Sequence, residues 1–223
     1  MKAFISYSTR QKKHATVVKG VLEEIGVDSF LAHETLQISE DWKKRILLEL
    51  RTCKIFVPLL SKAFKSSAWC DQETGIISRR RGVLIMPFSL DGTTPYGFIS
   101  YIQGKRLSDG KLERSQVLDA VARKWPSFVI DRLLKPMEKV YSFRQAENVV
   151  QPLVPYFPRF TATQARTFAD LATKNGQIWD ADLCREEYLP KFLRAQKGKI
   201  SKERYLALRH QIHNGRRPET KAA

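Results

Sequence analysis

The stretch Lys54-Ile55-Phe56-Val57-Pro58-Leu59-Leu60-Ser61 decides the architecture. Ile55-Phe56-Val57 and Leu59-Leu60 leave no polar face, so a strand built from them must be covered on both sides, as a central strand of a parallel sheet is. Pro58 has no N–H for a ladder and predicts a strand end or a bulge at that point. Upstream, Lys2 to Tyr7 and Val27 to Leu31 read as two further strands. Between them Ala15, Val18, Leu22 and Ile25 recur at helical spacing over Gln11 to Ile25, and Gly26 stands where that helix would stop. Trp42, Ile46, Leu47 and Leu50 mark a second helix with Ser39 placed to cap it. Downstream come a third helix over about Trp69 to Arg80, a fourth strand over Val83 to Phe88 and a short strand near Gln103 to Leu107. Strands and helices in alternation define an α/β layer structure with a parallel sheet.

After Leu112 the pattern is helical and punctuated by proline. Helices are predicted over Leu112 to Trp125, Phe128 to Leu134, Ala146 to Val154, Ala165 to Ala172, Leu183 to Leu193 and Tyr205 to Ile212. Pro126, Pro136, Pro152, Pro155 and Pro158 interrupt the run, which gives an α/β domain over 1–130 and a small all-helical domain over 140–223. With 43% hydrophobic and 28% charged residues, the 223-residue chain can bury one substantial core or two modest ones, so disordered, collagenous and coiled-coil classes are excluded. No apolar run is long enough to span a membrane, and the polar start does not form a signal peptide, so a cytoplasmic protein is expected. Cys53, Cys70 and Cys184 form no CxxC pair and read as free thiols. Thirty-nine basic against 23 acidic residues give a net charge of +16. The excess is spread over both halves, which favours a solubility role over a nucleic-acid footprint.

Phe4-Ile5-Ser6-Tyr7-Ser8, Trp42 with Ile46, Pro58-Leu59-Leu60-Ser61, Ser67-Ala68-Trp69-Cys70-Asp71-Gln72-Glu73 and Pro95-Tyr96-Gly97-Phe98-Ile99 follow one another in the order of the predicted strands and helices. In that order and spacing they resemble the Toll/interleukin-1 receptor (TIR) domain of prokaryotic type, over roughly residues 1 to 125. The resemblance implies a flavodoxin-like sheet of about five parallel strands. For many bacterial members it also implies cleavage of NAD, as substrate rather than cofactor, at the nicotinamide–ribosyl bond by hydrolysis or cyclisation. An antiviral defence setting, self-association through TIR contacts, and an upstream sensor or downstream effector are implied in the same way. The alternative is a non-enzymatic adaptor working through those contacts.

Breaking the nicotinamide–ribosyl bond leaves positive charge on the sugar, so an enzyme needs a carboxylate beside the ribose, a dry pocket and donors for the pyrophosphate. Glu73, near the start of a helix after the third strand, lies at the carboxyl edge where open α/β sheets bind ligands. By resemblance it grips the ribose; otherwise it only favours a helix N-terminus. Trp69 can wall off the nicotinamide or belong to the core. Tyr7, Ser8 and Thr9 end the first strand toward the same crevice, with capping as the alternative for Ser8 and Thr9, and Arg10 can meet a phosphate. His33 lies in the loop after the second strand, which by resemblance moves over the pocket. Many members carry an aspartate and a glycine there; this chain has Glu34 and Ser39-Glu40-Asp41. Trp42 reads as the packing anchor of its helix. Arg79-Arg80-Arg81 complements a helix C-terminus, and Cys70, at a helix start, is a packing residue or a thiol of lowered pKa. His210 and His213 lack a third metal ligand, and no metal site is expected.

Overall fold

A computed structural model describes residues 1–32, 42–107 and 112–214. His33, Ser39 and the remainder of 33–41, like the tail from Gly215, lie outside the described residues. Contact density divides the chain into two compact units, Met1–Lys124 and Trp125–Ala223.

The first unit runs β1 (Lys2–Ser6), α1 (Lys12–Glu24), β2 (Asp28–Leu31), α2 (Trp42–Thr52), β3 (Ile55–Leu60), α3 (Lys62–Lys65), α4 (Ala68–Ser78), β4 (Leu84–Ile85), β5 (Phe88–Ser89), β6 (Lys105–Arg106) and α5 (Arg114–Lys124). All strand pairs are parallel, in the order β2-β1-β3-β5-β6, with β4 also paired to β3. β4 and β5 occupy one position beside successive halves of β3, so the sheet has five strand positions. This is the doubly wound order, and its switch point falls between β1 and β3.

Pro58 ends neither strand nor pairing. It lies inside β3 opposite Ser6 of β1. Met86 N–H donates to the Phe56 carbonyl and Leu90 N–H to that of Leu60, so by the two-residue alternation the Pro58 nitrogen faces the same neighbour. That neighbour is broken at Met86-Pro87, which is why the single fourth strand expected over Val83 to Phe88 is two short ones. The missing N–H falls where the ladder is already interrupted.

Every residue of β3 is buried. Phe4, Phe30 and Phe56 stack across three adjacent strands, with ring centroids 5.4 and 6.0 Å apart, against Ile46 and Leu50 of α2 and Ile77 of α4. Gly26, with φ of 76°, makes the left-handed stop after α1 that a side chain would strain. Arg80 departs from its expected role. Rather than complementing its own helix, it donates from Nη1 to the carbonyls of Leu50 and Cys53 and caps the end of α2. Arg80→Ala is therefore expected to destabilise the chain by about 1–3 kcal/mol, read by chemical denaturation, because two buried-end carbonyls lose a charged donor.

In the second unit the helices are α6 (Pro126–Leu134), α7 (Phe143–Val150), α8 (Ala162–Lys174), α9 (Gly176–Trp179), α10 (Leu189–Ala195) and α11 (Lys202–Asn214). The prolines that were expected to interrupt helices are absorbed at their margins. Pro126 opens α6, and Pro152, Pro155 and Pro158 lie in a run of 3-10 turns, Gln151–Arg159. Leu183 to Leu193, read as one helix, contains a π-helical turn over Cys184–Tyr188. Phe157, Phe160, Phe168 and Phe192 form the core of the unit in mostly edge-to-face contacts. Thr161 and Gln164 close a reciprocal capping box at the start of α8.

Candidate active site

The carboxyl ends of β1 and β3 lead into two helix starts, and the chemistry of the first unit is gathered there. After β1, Thr9–Gln11 form a 3-10 turn. The Gln11 side chain accepts from Ser8 N–H at 3.3 Å and donates to the Ser61 hydroxyl, tying the two strand ends together across the switch point. Ser61 in turn caps α3 by accepting from Phe64 N–H at 2.9 Å. Beside these residues opens a cleft of about 590 Å³, bordered by Ser8, Arg10, Ser61, Lys62, Ser67 and Asp91. Asp91, carried in after β5, accepts from Lys62 N–H at 2.9 Å and from the Thr93 hydroxyl at 2.6 Å, and those bonds hold its carboxyl below the usual range. The cleft thus offers hydroxyls, two cations and one carboxylate whose oxygens already accept from Lys62 N–H and Thr93, a composition suited to a hydroxyl-bearing ligand with anionic groups held by Arg10 and Lys62. Gln11→Ala removes the acceptor of Ser8 N–H and one of the two donors to the Ser61 hydroxyl, and is expected to destabilise by about 1–2 kcal/mol, measured by urea unfolding.

Glu73 lies in the second turn of α4, one helix later than a direct β3-to-helix connection would put it. It shares the inward face with Cys70, Thr74 and Ile77, all buried, a set of positions that normally carries apolar side chains. The carboxyl is 3% exposed, and Ser6, which ends β1 on the same face as Phe4, donates its hydroxyl to Oε2 at 2.5 Å. Burial drives the Glu73 pKa from its ordinary 4.5 to about 7, opposed in part by the Ser6 bond. No cation pairs with it among the described residues. Glu73 is therefore present at the carboxyl edge but enclosed, and it does not border the cleft.

The other candidates separate. Ser8 and Arg10 line the cleft. Thr9 is exposed on the 3-10 turn and does not. Tyr7 is 1% exposed and belongs to the core rather than to the crevice. Trp69 is 38% exposed and is no core residue. Trp42 corrects its reading as a packing anchor: it is 42% exposed and meets Trp69 edge-on, ring centroids 4.3 Å apart. As the first residue of α2 it overhangs the helix end and does not follow Ile46 and Leu50 inward. The pair forms an aromatic wall at the starts of α2 and α4. The Cys70 thiol is buried and pushed up to about 11, the opposite of an activated thiol. His33 falls outside the described residues. Among those described, no three His, Cys, Asp or Glu residues gather as a metal site, and no helix is long and apolar enough to cross a membrane. Reading the sequence missed Ser6, Gln11 and Asp91; the one available signal was a buried-strand serine, Ser6, among apolar neighbours.

A parallel sheet in doubly wound order, with a carboxylate and paired indoles at its carboxyl edge, places the first unit in the flavodoxin-like α/β class. The family model described as TIR domain matches residues 3–121, more than half of the chain, and the chain belongs to the TIR-domain family. No curated protein matches it.

Proposed function

We propose that the chain cleaves NAD at the nicotinamide–ribosyl bond, by hydrolysis, cyclisation or both, in the cytoplasm and in defence signalling. The TIR family includes both NAD-cleaving enzymes and adaptors, so the choice rests on the site. The observation that carries it is Glu73: a carboxyl buried at an apolar position and held near pKa 7 is unfavourable for folding and is the kind of group that chemistry retains. When the carbon–nitrogen bond breaks, its electron pair leaves with nicotinamide and positive charge develops on the ribose carbon. An ionised Glu73 stabilises that charge in a water-poor setting. The indoles of Trp42 and Trp69 supply an apolar wall, and Arg10 and Lys62 supply cations for the pyrophosphate. Water or an internal nucleophile then captures the cation and releases a proton. For the sugar to reach Glu73, the packing around the carboxyl must open beside Oε1, the oxygen that the Ser6 hydroxyl does not hold.

The enclosure of Glu73 favours a second reading, a non-enzymatic module that associates with other TIR domains. Incubating concentrated full-length protein with NAD and identifying products by chromatography and mass separates the two. Release of nicotinamide together with ADP-ribose or a cyclic product is expected. Inertness at every protein concentration at which the chain self-associates would leave the adaptor.

A further inference from the structure

We infer that Ser6 is a positioning residue for Glu73: its hydroxyl fixes which carboxylate oxygen is held by the protein and which is left to a ligand. The inference rests on the catalytic reading of Glu73. Three observations carry it. Ser6 and Glu73 are 67 residues apart in sequence yet meet at 2.5 Å with both side chains buried, so the contact is set by the fold and not by local chance. Ser6 is the last residue of β1 and pairs with Pro58 of β3 at the switch point, so the sheet fixes where its side chain starts. The bond reaches Oε2 alone, which leaves Oε1 without that partner.

The surroundings give the bond a direction. Cys70, one turn before Glu73 on α4, is buried on the same helix face and carries a protonated, uncharged thiol. A serine hydroxyl has one proton, and a carboxylate can only accept. When Glu73 is ionised, that proton goes to Oε2. Among the described residues, the polar groups nearest Glu73 are Ser6 of β1, which bonds it, and Cys70 on its own helix face; Asp71, also on α4, accepts from the Tyr96 hydroxyl at 2.6 Å, and the buried acid of α2, Glu49, pairs with Lys2 and Arg45. A donor to the ionised form favours ionisation, so Ser6 moderates the effect of burial and sets the pH at which the carboxylate becomes available.

The test uses full-length protein with isotope-labelled glutamate and serine, the Glu73 carboxyl resonance being identified by its loss in Glu73→Gln and the Ser6 resonances by their loss in Ser6→Thr. In wild type, the Ser6 side-chain resonances are expected to titrate with the same midpoint as that carboxyl. Ser6→Ala is expected to raise the midpoint by about one pH unit, and Ser6→Thr, which keeps a hydroxyl, to restore it. The acid limb of NAD turnover should move by the same amount, with the plateau reached only at higher pH. A Ser6 signal indifferent to Glu73 ionisation in wild type overturns the inference, and that measurement stands even if Ser6→Ala does not fold. An unchanged midpoint in folded Ser6→Ala overturns it equally. If wild type consumes no NAD while Ser6 and Glu73 still titrate together, the catalytic reading fails and the coupling holds.

Discussion

The stability of the chain is expected to fall by about 3 kcal/mol through Glu73 alone as the pH rises from about 4.5 to about 7. Most carboxylates behave oppositely, because native partners lower their pKa and ionisation then favours the fold. Glu73 is raised from 4.5 to about 7 by burial. Below the lower value it is protonated in both states and contributes nothing. Between the two values the unfolded chain releases the proton while the folded chain keeps it, so unfolding gains. Above the upper value both states are ionised and the deficit is constant. At about 1.4 kcal/mol per pH unit, the interval gives about 3 kcal/mol. Glu73→Gln keeps the shape and removes the titration. Urea unfolding of both proteins across this range should show the variant overtaking wild type by that amount. A difference independent of pH would mean that the Glu73 carboxyl does not titrate as a buried group.

The same substitution is expected to lower NAD turnover at least about a thousandfold, since a neutral amide cannot offset the charge that develops on the ribose carbon. The variant should stay folded and be the more stable protein above pH 7, so loss of activity cannot be attributed to unfolding. Wild-type kcat/KM should rise through about pH 7 as Glu73 ionises in the free protein. Retained turnover in Glu73→Gln, or a pH profile flat from 5 to 9, would remove Glu73 from the chemistry.

Much of the fold is written in apolar runs. Ile55 to Leu60, apolar on both faces, announces a central parallel strand, and the alternation around it gives the class and the carboxyl edge to which Glu73 belongs. What periodicity cannot carry is pairing at a distance. Ser6 and Glu73 look like a strand residue and a helix residue until the sheet brings them together, and Arg80 looks like the cap of its own helix until α2 ends beside it. Trp42 has the spacing of a core residue, but spacing does not tell the first turn of a helix, which projects past its neighbours, from the turns behind it. Pro58 misleads for a different reason. Its cost depends on whether the adjoining ladder runs on past that point, and the neighbouring strand is interrupted there, at Met86-Pro87. The enclosure of Glu73 is likewise a property of packing, invisible in the order of residues.

Whether ribose reaches the enclosed carboxyl is decided most directly by the structure of the full chain bound to a non-cleavable NAD analogue. The account predicts ribose hydroxyls within hydrogen-bond distance of Glu73 at the oxygen opposite the Ser6 bond, and nicotinamide against the Trp42–Trp69 wall. An analogue seated in the neighbouring cleft, with Glu73 still sealed against Ser6 in a protein that turns over NAD, would contradict it.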